Sequence, residues 1–167
     1  MSLSLQELCG LLSSRDDNKV SDIVLLCEDL RINCHLAVMR QPYMDYVVQG
    51  LKKVESRFSK KSCAPYRCVN KGDIVLFKET GGAIRAISRV NEVRYYGNLN
   101  QEQTLELMAN HKEELMLSED FIEEKRESRF ASIFYLGEVL PVPSIKVEKS
   151  DMRSWIVLNN DSNGRLF

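Results

Sequence analysis

The stretch VVQGLKKVESRF, residues 47–58, changes its period at a glycine. Before that point Tyr43, Tyr46 and Val47 fall on one stripe of a helix, and Pro42 suits the first helical turn, where a missing N–H costs no hydrogen bond. Gly50 fits the terminal position, at which a left-handed backbone relieves the last carbonyls. Beyond it the pattern repeats every two residues. Lys53, Glu55 and Arg57 share one face of a strand, and Val54, Ser56 and Phe58 share the other, which is apolar enough to meet a core. A short strand at HLAVM, 35–39, precedes the helix.

The rest of the chain supplies more strands than helices, in no regular alternation. LSLQELCGLLSS predicts a helix capped by Ser4 with Glu7 reaching back, and VSDIVLLCEDLR predicts a second helix. IVLFKE, then IRAISRVNEVRYY after a TGGA turn, read as strands, and NKGD reads as a turn before the first of them. Asn100 and Gln103 form a reciprocal cap for a helix in QEQTLELMAN. Ser118 opens a further helix in SEDFIEEKRES, with acids near its positive end. FASIFYLGEVLPVPSIKVEK is strand-like but split by Pro141 and Pro143, and RSWIVL closes the series. A doubly wound parallel sheet needs alternating strands and helices, which this order lacks. The expectation is therefore an α+β fold with a compact, strongly curved or closed β-sheet and helical insertions, closure having the merit of removing exposed strand edges. Residues 1–33 form an N-terminal helical extension, 34–158 the main domain and 159–167 a mobile tail.

The 167 residues fit one domain, and a net charge of −1 gives no general attraction to nucleic acid or membrane. The distribution is less even. Residues 37–99 hold 12 Lys/Arg against 5 Asp/Glu, and residues 100–151 hold 6 against 12, local balances of +7 and −6. The five cysteines include no C-x-x-C pair, which points to free thiols in a reducing, cytoplasmic setting. No metal site or cofactor is expected, and no apolar run reaches the ~18 residues of a membrane span.

The charged junction carries the chemistry. Lys52 and Arg57 can meet a phosphate or a polarised carbonyl, with Glu55 holding them or accepting a base donor. The plain alternative is a solvated strand face whose ion pairs are worth about 0–1 kcal/mol each. Arg40, Lys53, Lys60, Lys61 and Lys78 can position a phosphate backbone. Tyr43, Tyr95, Tyr96 or Trp155 can stack a base, although Tyr43 and Trp155 also fit core positions. Tyr95 and Tyr96 fall on opposite strand faces. His35 beside an apolar strand start reads as structural, and His111 after a helix reads as surface or cap chemistry.

LAVMRQPYMDYVVQGLKKVESR, residues 36–57, resembles the hallmark of the activating signal cointegrator homology (ASCH) family: a short strand, a polar turn, a helix ending in glycine, then lysine, glutamate and arginine. Gln41–Pro42, Gly50, Lys52, Glu55 and Arg57 carry it, and GDIVLFKETGG and ASIFYLGEV resemble the family's later strands. The resemblance implies the pseudouridine synthase and archaeosine transglycosylase (PUA-like) RNA-binding fold, a small mixed β-barrel with flanking helices, with Lys52, Glu55 and Arg57 lining a cleft for RNA or a modified nucleotide. Arg40 and Gln41 would help close that cleft, and Lys78 would join the ligand contacts. Some small relatives are amidohydrolases of N4-acetylcytidine that use lysine, threonine and glutamate. In that reading Lys52 matches the lysine, Glu55 stands where those enzymes carry threonine, and Glu138 is the counterpart of the glutamate. A third reading is a protein-interaction module using the acidic segment around Glu119–Glu127.

Overall fold

The computed structural model describes residues 5–13, 18–27, 29, 31–147 and 152–158. The segment read as a C-terminal tail, 159–167, and the Ser4 cap lie outside them.

Two helices, α1 (Leu5–Ser13) and α2 (Asn18–Leu26), precede strand β1 (Cys34–Met39). Helix α3 (Tyr43–Val48) leads into β2 (Val54–Ser59), followed by β3 (Ile74–Glu79) and the long β4 (Ile84–Tyr96). Helices α4 (Gln101–Asn110), α5 (Lys112–Leu115) and α6 (Glu119–Lys125) separate β4 from β5 (Phe130–Leu136). Strands β6 (Leu140–Ile145) and β7 (Trp155–Leu158) complete the sheet.

The strands run in the order β2-β5-β4-β3-β1-β7, with β6 paired to β4 off this path. β1 and β3 are parallel and the remaining pairs antiparallel. β4 serves three partners: its first half pairs with β3 and β6, and its second half pairs with β5. Register shifts at Val90/Glu92 and Phe77/Lys78 mark irregularities of the kind that bend a strand between such partnerships.

The expected β-barrel is not formed. β2 and β7 end the series and do not pair with each other, so the sheet is mixed but open. The physical reason lies at the gap. The backbone oxygens of Val38 and Ser154, which border it, accept hydrogen bonds from the Arg57 guanidinium at 3.1 and 3.2 Å. A side chain, rather than a backbone ladder, spans this seam.

Period-two alternation divides the interior. On β1, Cys34 and Leu36 join a cluster roofed by Leu8, Leu12, Val20 and Val24 of the N-terminal helices. The intervening Ala37 and Met39 join Met44, Val47, Phe77, Phe134 and Trp155 on the other side. A third cluster packs Val54 and Phe58 of β2 against Leu107, Met108 and Leu115 from the inserted helices. Helix α3 buries Met44 and Val47, while Tyr43 and Tyr46 are only half-buried, so the buried stripe is centred one residue from the expected one. Asn100 and Gln103 do form the reciprocal cap of α4, and Ser118 caps α6.

Candidate functional site: a cationic cleft at the open seam

Helix α3 ends as its sequence dictates. Gly50 takes φ +70°, and the N–H groups of Leu51 and Lys52 turn back to Tyr46 O at 2.9 and 3.0 Å. That turn delivers Lys52 inward, while Lys53 stays exposed. Lys52, one step before β2, therefore joins Glu55 and Arg57. Lys52 Nζ donates to Leu115 O at 2.7 Å, lies 3.9 Å from Glu55 Oε2 and sits 5.6 Å from the centre of the Tyr43 ring. Burial pushes its amine below the ordinary lysine range; Glu55 opposes that shift and Arg57 adds to it.

Glu55 and Arg57 are in contact but not fully hydrogen-bonded. Arg57 Nε stands 3.0 Å from Glu55 Oε1, yet its N–H is not directed at that oxygen. Arg57 Nε and Glu55 Oε2 are both buried without a hydrogen-bond partner among the described residues. The guanidinium carbon lies 5.3 Å from the Trp155 ring centre.

These three side chains border an open cavity of about 850 Å³. Lys78, Thr80, Gly81 and Gly82 supply one wall from the β3–β4 turn, where Gly81 adopts φ +68° and Lys78 Nζ caps the carbonyls of Glu79 and Gly82. Tyr43, Phe58, Phe121 and Leu117 supply an apolar wall, with Phe121 edge-on to both Tyr43 and Phe58. Among the described residues the lining carries seven cations (Arg40, Lys52, Arg57, Lys78, Lys125, Lys146, Arg153) and two carboxylates (Glu55, Glu124), a balance of +5. Hydrogen bonds from Lys125 and Arg40 hold the Glu124 carboxyl down at about 2. Charge for anions, flat rings and one buried carboxylate are thus brought to a single concavity.

Arg40, Lys52, Glu55, Arg57 and Lys78 converge there; Gln41 and Glu138 do not. Gln41 donates to Asp45 and Glu79 on the outer surface, beside Arg85. Glu138 is exposed and paired with Lys19 at 2.7 Å. Lys60 and Lys61 are exposed, Lys60 bonding Glu127. The acidic segment spends much of its charge within the molecule: Glu119 pairs with Lys112, Glu123 with Arg126 and Glu124 with Arg40. Trp155 and His35 are buried, and His111 bonds Glu114 at the α4–α5 junction. The Tyr95 hydroxyl bridges the N–H and C=O of Val69, and burial raises its pKa to about 12.

Sequence reading missed Lys125, Lys146 and Arg153, which reach the rim from α6 and the β6–β7 connection. They have no shared spacing that would mark them. Asp73 was also missed, although an aspartate closing an N-K-G-D turn is a residue whose carboxylate commonly binds local backbone N–H groups.

The sequence model of the ASCH domain matches residues 38–163. The crystal structure of ASCH from Zymomonas mobilis superposes with a TM-score of 0.60 at 14% identity, covering 76% of this chain and 88% of that one. A mutant of that bacterial protein gives 0.61, 14%, 76% and 89%. Likeness at this identity demonstrates a common fold. No curated protein matches the sequence.

Proposed function

The chain belongs to the ASCH domain family, a PUA-like group linked in general to RNA or nucleotide interaction, and we propose that its seam cleft binds an RNA segment or a modified nucleotide. One observation carries the reading: among the described residues, seven cations and two carboxylates line a concavity that also has aromatic walls. Phosphates would meet Arg40 and Lys146 at the rim, where charge positions the backbone without reading sequence, and the buried Lys78 would add positive potential from the wall. An unpaired base would lie against Tyr43 or Phe121, since stacking on such rings tolerates any base and adds about 1–3 kcal/mol. Arg57 and Glu55 would meet the polar edge of that base, as one donor and one acceptor on the same strand face.

Binding of a fluorescein-labelled single-stranded RNA, followed by anisotropy across salt concentrations, tests this. Affinity should fall steeply with salt, and Arg57→Gln or the exposed-rim change Lys146→Glu should weaken it. For each phosphate contact removed, the log–log salt slope should shrink by about 0.7. Salt-independent binding, or binding indifferent to both changes, contradicts the reading.

A hydrolytic reading on the same residues is favoured by the buried, down-shifted amine of Lys52. Glu138 stands outside the cavity, so Glu55 would have to activate water, with Arg57 supporting the oxyanion. Absence of N4-acetylcytidine turnover by the wild-type protein rejects that substrate.

A further inference from the structure

Behind the cleft runs a chain of buried polar groups that none of the binding roles above uses. Asp73 Oδ2 lies 3.0 Å from His35 Nε2 and accepts the Asn70 N–H at 2.7 Å, and Oδ1 accepts the Asn33 N–H at 3.1 Å. The indole N–H of Trp155 donates to His35 Nδ1 at 3.3 Å. An indole nitrogen can only donate, so Nδ1 is the acceptor and the imidazole proton sits on Nε2, directed at Asp73. Asp73, His35 and Trp155 are each no more than 2% exposed.

The same indole has two further neighbours. Phe134 stacks on it at 5.1 Å with the planes 25° apart, and the Arg57 guanidinium lies 5.3 Å from its centre. A buried triad of this kind is seldom worth more to stability than apolar residues of equal volume. What it does supply is direction: a ring held at its nitrogen by His35 and on its face by Phe134 cannot rotate freely.

We infer that Asp73, His35 and Trp155 are positioning residues for Arg57. The hydrogen-bonded chain fixes the indole plane. The indole, with the carbonyls of Val38 and Ser154, fixes the direction in which Arg57 offers its remaining N–H groups to a ligand in the cleft, an inference that rests on the binding reading above. Two of the five guanidinium N–H groups are committed to those carbonyls. Nε is buried beside Glu55, so one N–H on each terminal nitrogen remains. These are useful to an anion or a base edge only while the fork keeps its orientation, and attraction to the indole face is one of the forces that keeps it.

Trp155 is the sole tryptophan of the chain, so the protein has a single indole N–H resonance to report on this contact. The test is a double-mutant cycle of Trp155→Phe and Arg57→Gln, read by anisotropy of the labelled single-stranded RNA, together with the indole resonance of ligand-free wild type and Arg57→Gln. Trp155→Phe keeps a ring beneath Arg57 but loses the bond to His35. It should weaken RNA binding about three- to fivefold in the wild-type background and have no further effect once Arg57 is glutamine. Equal losses in both backgrounds overturn the inference, because Trp155 would then act independently of Arg57. Should Trp155→Phe fail to fold, the ligand-free arm decides: Arg57→Gln must move the indole resonance, and an unmoved, rapidly exchanging indole proton refutes the coupling. Wild-type protein that binds no RNA ends the binding reading, whereas the indole shift still decides whether Trp155 and Arg57 are coupled.

Discussion

Asp73 and Glu55 are both buried carboxylates, at 2% and 4% exposure, and their surroundings differ. Asp73 accepts hydrogen bonds from an imidazole and two backbone N–H groups. Burial alone would push its carboxyl up, but the bonds from His35, Asn70 and Asn33 outweigh that and leave it below the ordinary range. Glu55 touches two cations, yet one of its oxygens has no hydrogen-bond partner among the described residues. A buried polar group left short of partners costs about 1–3 kcal/mol. On the proposed function, the satisfied cluster serves as scaffold and the unsatisfied one as the binding site.

The sharpest way to break this comparison is Asp73→Ala. It strands the buried imidazole N–H of His35 and takes the acceptor from two part-buried backbone N–H groups, and urea unfolding should show a loss of about 2–4 kcal/mol. A loss below about 1 kcal/mol would mean that Asp73 is no more structural than Glu55. Glu55→Gln should show the opposite balance: stability within about 1 kcal/mol of wild type, but RNA affinity reduced about tenfold. If the loss is mostly in stability, the two carboxylates play the same role.

Two pH measurements sharpen the contrast. Asp73 has a lowered folded-state pKa, so its contribution is fully present above the ordinary carboxylate value and is lost as pH falls through the folded one. Asp73→Asn should flatten that acid limb. Lys52 is also lowered, and the pH slope keeps the same sign, although here the cause is burial penalising the charged form instead of hydrogen bonds favouring it. Between its folded-state pKa and the ordinary 10.5 the unfolded chain holds the extra proton, so unfolding free energy should rise with pH across that window. Lys52→Met should remove the rise, and a rise that persists in the variant assigns it elsewhere. The smallest effect concerns Tyr95, whose ultraviolet tyrosinate signal should appear only at about pH 12 and be missing in Tyr95→Phe.

Much of the local structure was legible because it depends on neighbours in sequence. The α3 stop at Gly50, the α4 cap at Asn100 and Gln103, and the alternation of Glu55 and Arg57 against Val54 and Phe58 follow from backbone chirality and period. Openness of the sheet was not legible. It turns on Arg57 reaching Val38 O and Ser154 O, the second of them 97 residues away, in place of a strand. The charge asymmetry was real but incompletely read: Arg40 with Glu124 and Lys60 with Glu127 pair basic and acidic segments across the fold. Lys146 from the acidic segment and Arg153 just beyond it reinforce the basic rim. Gln41 and Glu138, chosen by resemblance, stand outside the cavity because their neighbours Asp45, Glu79 and Lys19 hold them on the surface.

Titrating single-stranded RNA into isotope-labelled protein and following the amide and indole resonances tests the central claim most directly. Saturable shifts concentrated at Lys52–Arg57, at Lys78–Gly82 and at the Trp155 indole are the predicted result. Shifts confined to the exposed loop of residues 60–67, or none at concentrations where anisotropy reports binding, would contradict a ligand site at the seam.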